Sequence, residues 1–354
     1  MSHVVEKDVN QEKEATEQAT VEEPILEVKN LKTYFPISSG KWFNRKTNYL
    51  KAVDDVSFYV NRGETLGIVG ESGCGKSTTG NSIIRLVEPT DGEVWFKGEN
   101  IASMKAKEFK PFKKNIQMIF QDPFSSLNPR LHVFDIIAEP LRTHNLYQGK
   151  ELEQRVYELM ETVGLDPDLA NRFPHQFSGG QRQRIGIARA IAVKPDLIIC
   201  DEPVSALDVS IQAQILNLLN RLQKELGLTY VFIAHGIPAV KYVSDRIAVM
   251  YMGEIVEMAD KDELFEKTLH PYTQKLISAV PSTDPKKRTI GEDQAVADEL
   301  NQGETDVVGC KFADRCPLAR AHCKEVRPEL RQLRSGHFVK CHYPLEQEAL
   351  EEKV

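Results

Sequence analysis

The sequence predicts an α/β protein built on a mostly parallel β-sheet with helices on both faces. Three observations carry this expectation. Short apolar runs suited to buried strands recur at Thr65–Val69, Leu197–Cys200, Tyr230–Ala234 and Ile247–Tyr251. Helical patterns lie between them, the clearest being Ile211–Leu226, where Ile215, Leu218, Leu219 and Leu222 form one apolar stripe. Strands that alternate with helices join as parallel neighbours through crossover connections.

Taken in order, residues 1–23 are acidic and poor in apolar side chains, which predicts a disordered tail. Ile25–Phe35 alternates in part and reads as a strand. Pro36–Asn48 reads as a loop. Val53–Val60 is a second strand with Val56, Phe58 and Val60 on one face. Thr65–Val69 ends at a glycine, and a helical pattern begins at Lys76. Ile116–Phe120 is strand-like. Residues 122–190 carry several helical segments and little strand, as expected of a helical subdomain inserted in the sheet. Residues 283–308 are polar and irregular and read as a linker. It leads into a cysteine-rich segment, 310–341, and a short tail, 346–354.

Composition narrows the function. The 354 residues are 41% hydrophobic and 27% charged, which is ordinary globular usage and room for one large domain plus an appendage. A net charge of −7 gives no support to nucleic-acid binding. No apolar run approaches the roughly 18 residues that a bilayer crossing needs, and the first 23 residues lack the apolar core of a secretory signal. A cytosolic chain that meets the membrane through partner proteins is expected. Four of the six cysteines, Cys310, Cys316, Cys323 and Cys341, crowd the end of the chain; the other two, Cys74 and Cys200, are isolated. In a reducing compartment such a cluster reads first as a metal site.

Three motifs carry chemistry. Gly70-Glu71-Ser72-Gly73-Cys74-Gly75-Lys76-Ser77, followed by Thr78, matches G-x-x-x-x-G-K-[ST] between a strand and a helix. Glycines let backbone N–H groups curl around phosphate oxygens, and the helix N-terminus adds partial positive charge. Lys76 can then reach the β and γ phosphates, and Ser77 can bind magnesium. Leu197–Cys200 runs into Asp201 and Glu202 at the carboxyl end of a strand, where open parallel sheets bind ligands. Asp201 is placed for the magnesium shell and Glu202 to polarise water. Ser178-Gly179-Gly180-Gln181 opens a helix as a capping box; the same exposed N-terminus is also a ready anion site.

In this order the three elements resemble the ABC ATPases. Phe177-Ser178-Gly179-Gly180-Gln181 is similar to the family signature, which usually begins with Leu. Gln121 falls at the family's glutamine loop, Ser205-Ala206-Leu207-Asp208 at the loop that touches the opposite subunit, and His235 at the switch histidine. Gly236 departs from the pattern, since relatives usually carry an acid there. The resemblance spans about residues 25–345. It implies a P-loop fold over residues 24–265 with an antiparallel β subdomain. It also implies a head-to-tail dimer in which Ser178 and Gly180 face the other chain's nucleotide. Catalysis would fall to Glu202, His235 and Gln121, with magnesium held by Ser77, Gln121 and Asp201. Phe35, Tyr34 and Val53 are candidates for the adenine platform. A non-transport ABC protein is disfavoured by the lack of a second cassette, and a GTPase by the lack of an Asn-Lys-x-Asp segment.

Within that superfamily, His270-Pro271-Tyr272-Thr273, Ala279-Val280-Pro281 and the four late cysteines resemble the C-terminal extension of oligopeptide and dipeptide importer ATPases. This places an extension over residues 266–345. The implied partners are a second, non-identical ATPase, two transmembrane permease subunits and an extracellular or periplasmic peptide-binding protein. The implied location is the cytoplasmic face of the membrane. The alternative is an importer for another solute, such as nickel. The cysteine spacings of five, six and seventeen intervening residues, with Pro317 after Cys316, point to a 4Fe-4S cluster. Zinc is the rival, with His322, His337 and His342 as substitute ligands. Nothing in the sequence places this segment near the ATP site.

Overall fold

The computed structural model describes residues 23–39, 46–279 and 307–345. The expected acidic tail (but for Glu23), most of the linker and the residues after 345 lie outside these. The strands are β1 (Leu26–Ser39), β2 (Lys46–Val60), β3 (Thr65–Val69), β4 (Asp91–Phe96), β5 (Glu99–Asn100), β6 (Ile116–Ile119), β7 (Leu197–Asp201), β8 (Thr229–Ala234), β9 (Arg246–Tyr251), β10 (Glu254–Asp260), β11 (Arg331–Arg334) and β12 (His337–Val339). The helices are α1 (Lys76–Ile83), α2 (Ala106–Phe109), α3 (Val133–Thr143), α4 (Gly149–Thr162), α5 (Gly179–Ile191), α6 (Val209–Leu226), α7 (Ile237–Val243), α8 (Lys261–Glu266), α9 (Pro271–Ser278) and α10 (Ala321–Glu325).

The expected parallel sheet is present. An eight-stranded sheet runs β11-β12-β10-β9-β3-β8-β7-β6, and its β9-β3-β8-β7-β6 portion is parallel. Successive residues of a strand point to opposite faces. Leu197 and Ile199 of β7 therefore enter one apolar cluster while Ile198 and Cys200 enter the other. Both faces are covered, which is why these strands read as unbroken apolar runs. On one face the α6 stripe of Ile215, Leu218, Leu219 and Leu222 is buried, each side chain contributing about 1.5–3 kcal/mol. Helices α3, α4 and α5 make up the expected helical subdomain on the same cluster. On the other face, Val53, Val56 and Val94 join Ile68 and Ile233. They belong to a second, antiparallel sheet of order β2-β1-β4-β5.

The sequence reading of residues 36–48 as a loop is corrected at its two ends, 36–39 and 46–48; residues 40–45 lie outside the described residues. Strand β1 runs on to Ser39 and β2 starts at Lys46, with Pro36 paired to Tyr49 and Ile37 to Asn48. The exposed Phe35, Ile37 and Tyr49 show that this end of the ribbon is solvated, so it has no apolar period to mark it as strand. Strand β10 was also missed. Its Glu254 and Glu257 are almost fully buried, and with Asp260 they put three acids in seven residues, which hides a core strand from composition. Glu257 accepts from the backbone N–H groups of Leu269 (2.6 Å) and His270 (3.0 Å) and pairs with His337 (2.8 Å). Buried carboxylates persist when satisfied in this way. The cysteine-rich segment is no loose appendage, because β12 pairs with β10 through Met258–Phe338 and Glu257–Val339 and continues the main sheet.

Candidate active site

The carboxyl ends of β3, β6, β7 and β8 converge on a cleft of about 540 Å³, a size suited to a small-molecule ligand. The turn after β3 forms its floor. Gly75 has φ +105°, and a Cβ there would run into the Ala52 carbonyl of β2, so only glycine fits. Ser72, Gly73, Gly75, Lys76, Ser77 and Thr78 line the cleft. Gly70, Glu71 and Cys74 lie behind it. Cys74 is buried, and desolvation pushes its thiol up. Lys76 is buried too, its ammonium donating to the carbonyls of Gly70 and Glu71, each at 2.9 Å.

Two polar pairs lie side by side at the end of β7. The Ser77 hydroxyl donates to Asp201 Oδ1 at 2.7 Å. Burial raises the Asp201 carboxyl, partly offset by Ser77 and reinforced by the neighbouring Glu202 charge. Hard oxygens from a hydroxyl and a buried carboxylate are a donor set for a magnesium ion that keeps several of its waters. Next to them the Gln121 side-chain amide donates to Glu202 Oε2 at 2.8 Å. Glu202 sits at φ +45° and its N–H is held by the Ile233 carbonyl at 2.9 Å. A non-glycine residue in this region costs of order 1–3 kcal/mol and persists only where its surroundings fix it. Ser205 and His235 complete this wall.

The three aromatic and apolar candidates separate. Phe35 lines the cleft. Tyr34 does not: its hydroxyl donates to Asp54 at 2.7 Å. Val53 is fully buried in the core between the two sheets. The cleft's far wall contains two elements that the sequence did not single out, the Met252–Gly253 turn and Lys311.

Ser178, Gly179, Gly180 and Gln181 do not line this chain's cleft. The capping box is formed, with the Ser178 hydroxyl accepting from the Gln181 N–H (3.3 Å) and the Gln181 side chain accepting from the Ser178 N–H (3.0 Å). Both glycines allow close packing, since a Cβ on Gly180 would strike Ile211 and one on Gly179 would crowd Leu207. The exposed α5 N-terminus and Asp208, at the start of α6, therefore share one outward surface.

Comparison with known proteins fits this geometry. Residues 53–205 match the ABC transporter family and residues 256–323 match the oligopeptide/dipeptide transporter C-terminal region. The chain is 53% identical over 325 residues to the oligopeptide transport ATP-binding protein AppF of Bacillus subtilis, covering 92% of this chain and 98% of that one. The chain belongs to the ATP-binding subunits of ABC-type oligopeptide transporters. Another such subunit, OppF of Escherichia coli, is 53% identical over 311 residues, covering 86% of this chain and 92% of its own. Among solved structures, the ATP-binding cassette MJ0796 in a dimeric post-hydrolysis state bound to ADP and phosphate superposes with a TM-score of 0.59. It is 30% identical and covers 67% of this chain and 98% of its own. As an ABC ATPase the chain binds ATP with magnesium and works with permease subunits and a substrate-binding protein. Among the described residues no helix is long and apolar enough to cross a membrane.

The C-terminal cysteines of this oligopeptide-transporter subunit gather. Cys310, Cys316, Cys323 and Cys341 line one small cavity together with His342. Cys341 is pushed up to about 12 by burial, and the other three thiols add to the effect. His322 packs against His342, the two rings tilted with centres 4.5 Å apart. His337 does not reach the cavity, being committed to Glu257. Among the described residues no group of three or more His, Cys, Asp or Glu side chains is placed to hold a single metal ion.

Proposed function

We propose that this chain hydrolyses ATP at the cytoplasmic face of the membrane to energise import of oligopeptides. The observation that carries the reading is the pair of contacts in one cleft, Ser77–Asp201 and Gln121–Glu202, beside the Lys76 loop. Lys76, Gly73 and Gly75 bind the phosphates, and Phe35 offers its ring to the base. Glu202 accepts the proton of the attacking water, with Gln121 and His235 orienting that water and the γ-phosphate. Ser77 and Asp201, with Gln121, would hold magnesium, which would neutralise phosphate charge.

One chain supplies half of each site. Ser178 and Gly180 at the α5 N-terminus bind the γ-phosphate held by a second ATPase subunit, a non-identical homologue, and Asp208 lies at the same contact. ATP thereby favours the closed pair, because only that state supplies the second set of phosphate contacts. Co-expression with two permease subunits and a peptide-binding protein, reconstituted in proteoliposomes, tests the assignment. Oligopeptide uptake that requires ATP and a competent Glu202 is expected. ATP-driven uptake of nickel but not of peptides would transfer the reading to another solute.

The four late cysteines are read as ligands of a 4Fe-4S cluster, supported by their shared cavity and by Pro317 after Cys316, a pairing that some cluster-binding sequences carry. Anaerobically purified protein should be brown and bleach in air. Colourless protein with about one zinc per chain would replace the cluster with a zinc site.

A further inference from the structure

The six residues that follow Cys310 reach into the nucleotide-binding half of the molecule at three points. Lys311 is almost buried and lines the cleft; its ammonium bonds Asp54 Oδ2 and the Met252 carbonyl, each at 2.9 Å, and lies 3.1 Å from Glu254. Phe312 is buried in a ring cluster, its centre 5.3 Å from Tyr251 and 5.4 Å from Tyr272. Arg315 forks onto both oxygens of Glu71, at 3.0 and 3.2 Å. Glu71 is the second residue of the phosphate loop, and its N–H is held in turn by the Tyr272 hydroxyl at 3.1 Å. The expectation that nothing brings the cysteine segment near the ATP site is therefore corrected.

We propose that this segment is a working wall of the nucleotide site: Arg315 is a positioning residue that fixes the first turn of the phosphate loop through Glu71, Lys311 fixes the flank of the cleft through Asp54, and together they set the affinity for ATP. The inference rests on the nucleotide reading of the cleft. Its physical basis is pre-organisation. Glu71 carries the carbonyl onto which Lys76 folds, so a loose Glu71 leaves the loop to be ordered at the expense of binding energy. The bidentate arginine–carboxylate pair is the geometry that restrains such a turn best. Cys310 and Cys316 bracket the two cations, so whatever the four thiols hold fixes the same stretch of backbone.

Calorimetric titration of the full chain with ATP and magnesium tests the proposal. Arg315→Ala should weaken ATP binding about tenfold, the loss expected of one charge-assisted contact, and Arg315→Lys should restore part of it. Glu71→Gln should weaken binding similarly, and the double variant Arg315→Ala/Glu71→Gln should be no worse than either single one, since the two residues act through one contact. Lys324→Ala, which removes an equal charge from an exposed pair with Asp314 in the same segment, should bind as wild type does. Wild-type affinity in Arg315→Ala would overturn the proposal, and so would an equal loss in Lys324→Ala. A wild-type chain that binds no ATP would instead overturn the reading of the cleft, and the inference with it.

Discussion

At the scale of single residues, Lys76 holds the loop's own carbonyls and is buried. Its contact with phosphate precedes the reaction, so it contributes to binding itself. Lys76→Ala should raise the dissociation constant for ATP by about 10- to 100-fold, the size of a lost hydrogen bond to a charged group; unchanged affinity by calorimetry would count against the phosphate-loop reading. Gly236, the departure beside the switch histidine, has ordinary backbone angles of φ −91° and ψ 119° at the N-cap of α7. A Cβ there would meet only Pro238, at 3.9 Å. Gly236→Asp should keep turnover at or above wild type and, by capping α7, add a few tenths of a kcal/mol. A large loss of turnover would show that the glycine is required. The residues legible in the sequence were those with local signatures: the glycine-rich loop, and an acid pair at the end of an apolar strand. Phe35 was preferred over its neighbour Tyr34 by the family resemblance and not by pattern, because neighbours on a strand face opposite ways and the pairing decides which side fronts the cleft. Arg315 was illegible, since its partner lies 244 positions away.

At the scale of elements, the parallel strands and α6 were plain because both faces of the sheet are buried. Strand β10 was not, because Glu254 and Glu257 spend their charge on partners from β12, from α9 and from the cysteine segment. The start of α9 gives this junction a pH signature. His270 is fully buried, and its Nδ1 accepts the Tyr272 N–H at 3.1 Å as the helix cap. Desolvation lowers its pKa from 6.5 to about 3. The folded form thus binds fewer protons than the unfolded one between those values. Its contribution to stability is complete above pH 6.5 and is lost as the pH falls towards 3, by up to about 1.4 kcal/mol per pH unit. His270→Asn keeps a capping side chain and should flatten that slope between pH 6 and about 4 in denaturant unfolding. An identical slope in the variant would show that His270 is not the group that titrates.

At the scale of the whole molecule, the C-terminal strands continue the main sheet and the cysteine segment presses on the phosphate loop. The nucleotide site is thus assembled from both ends of the chain. Sequence pattern alone reads the segment as separate, because its contacts are side chains reaching across the fold. The central claim is that the cleft hydrolyses ATP with Glu202 as the base, in a molecule where binding and hydrolysis are separable. The most direct measurement is ATP turnover and nucleotide content in the assembled transporter carrying Glu202→Gln, where the Gln121 contact at 2.8 Å has an amide in place of the carboxylate. A lost base affects the transition state far more than the bound ground state. The account predicts that steady-state hydrolysis at this site is abolished while ATP stays bound and the two ATPase subunits remain closed on it. Normal turnover at this site in the variant, or loss of ATP binding together with hydrolysis, would contradict it.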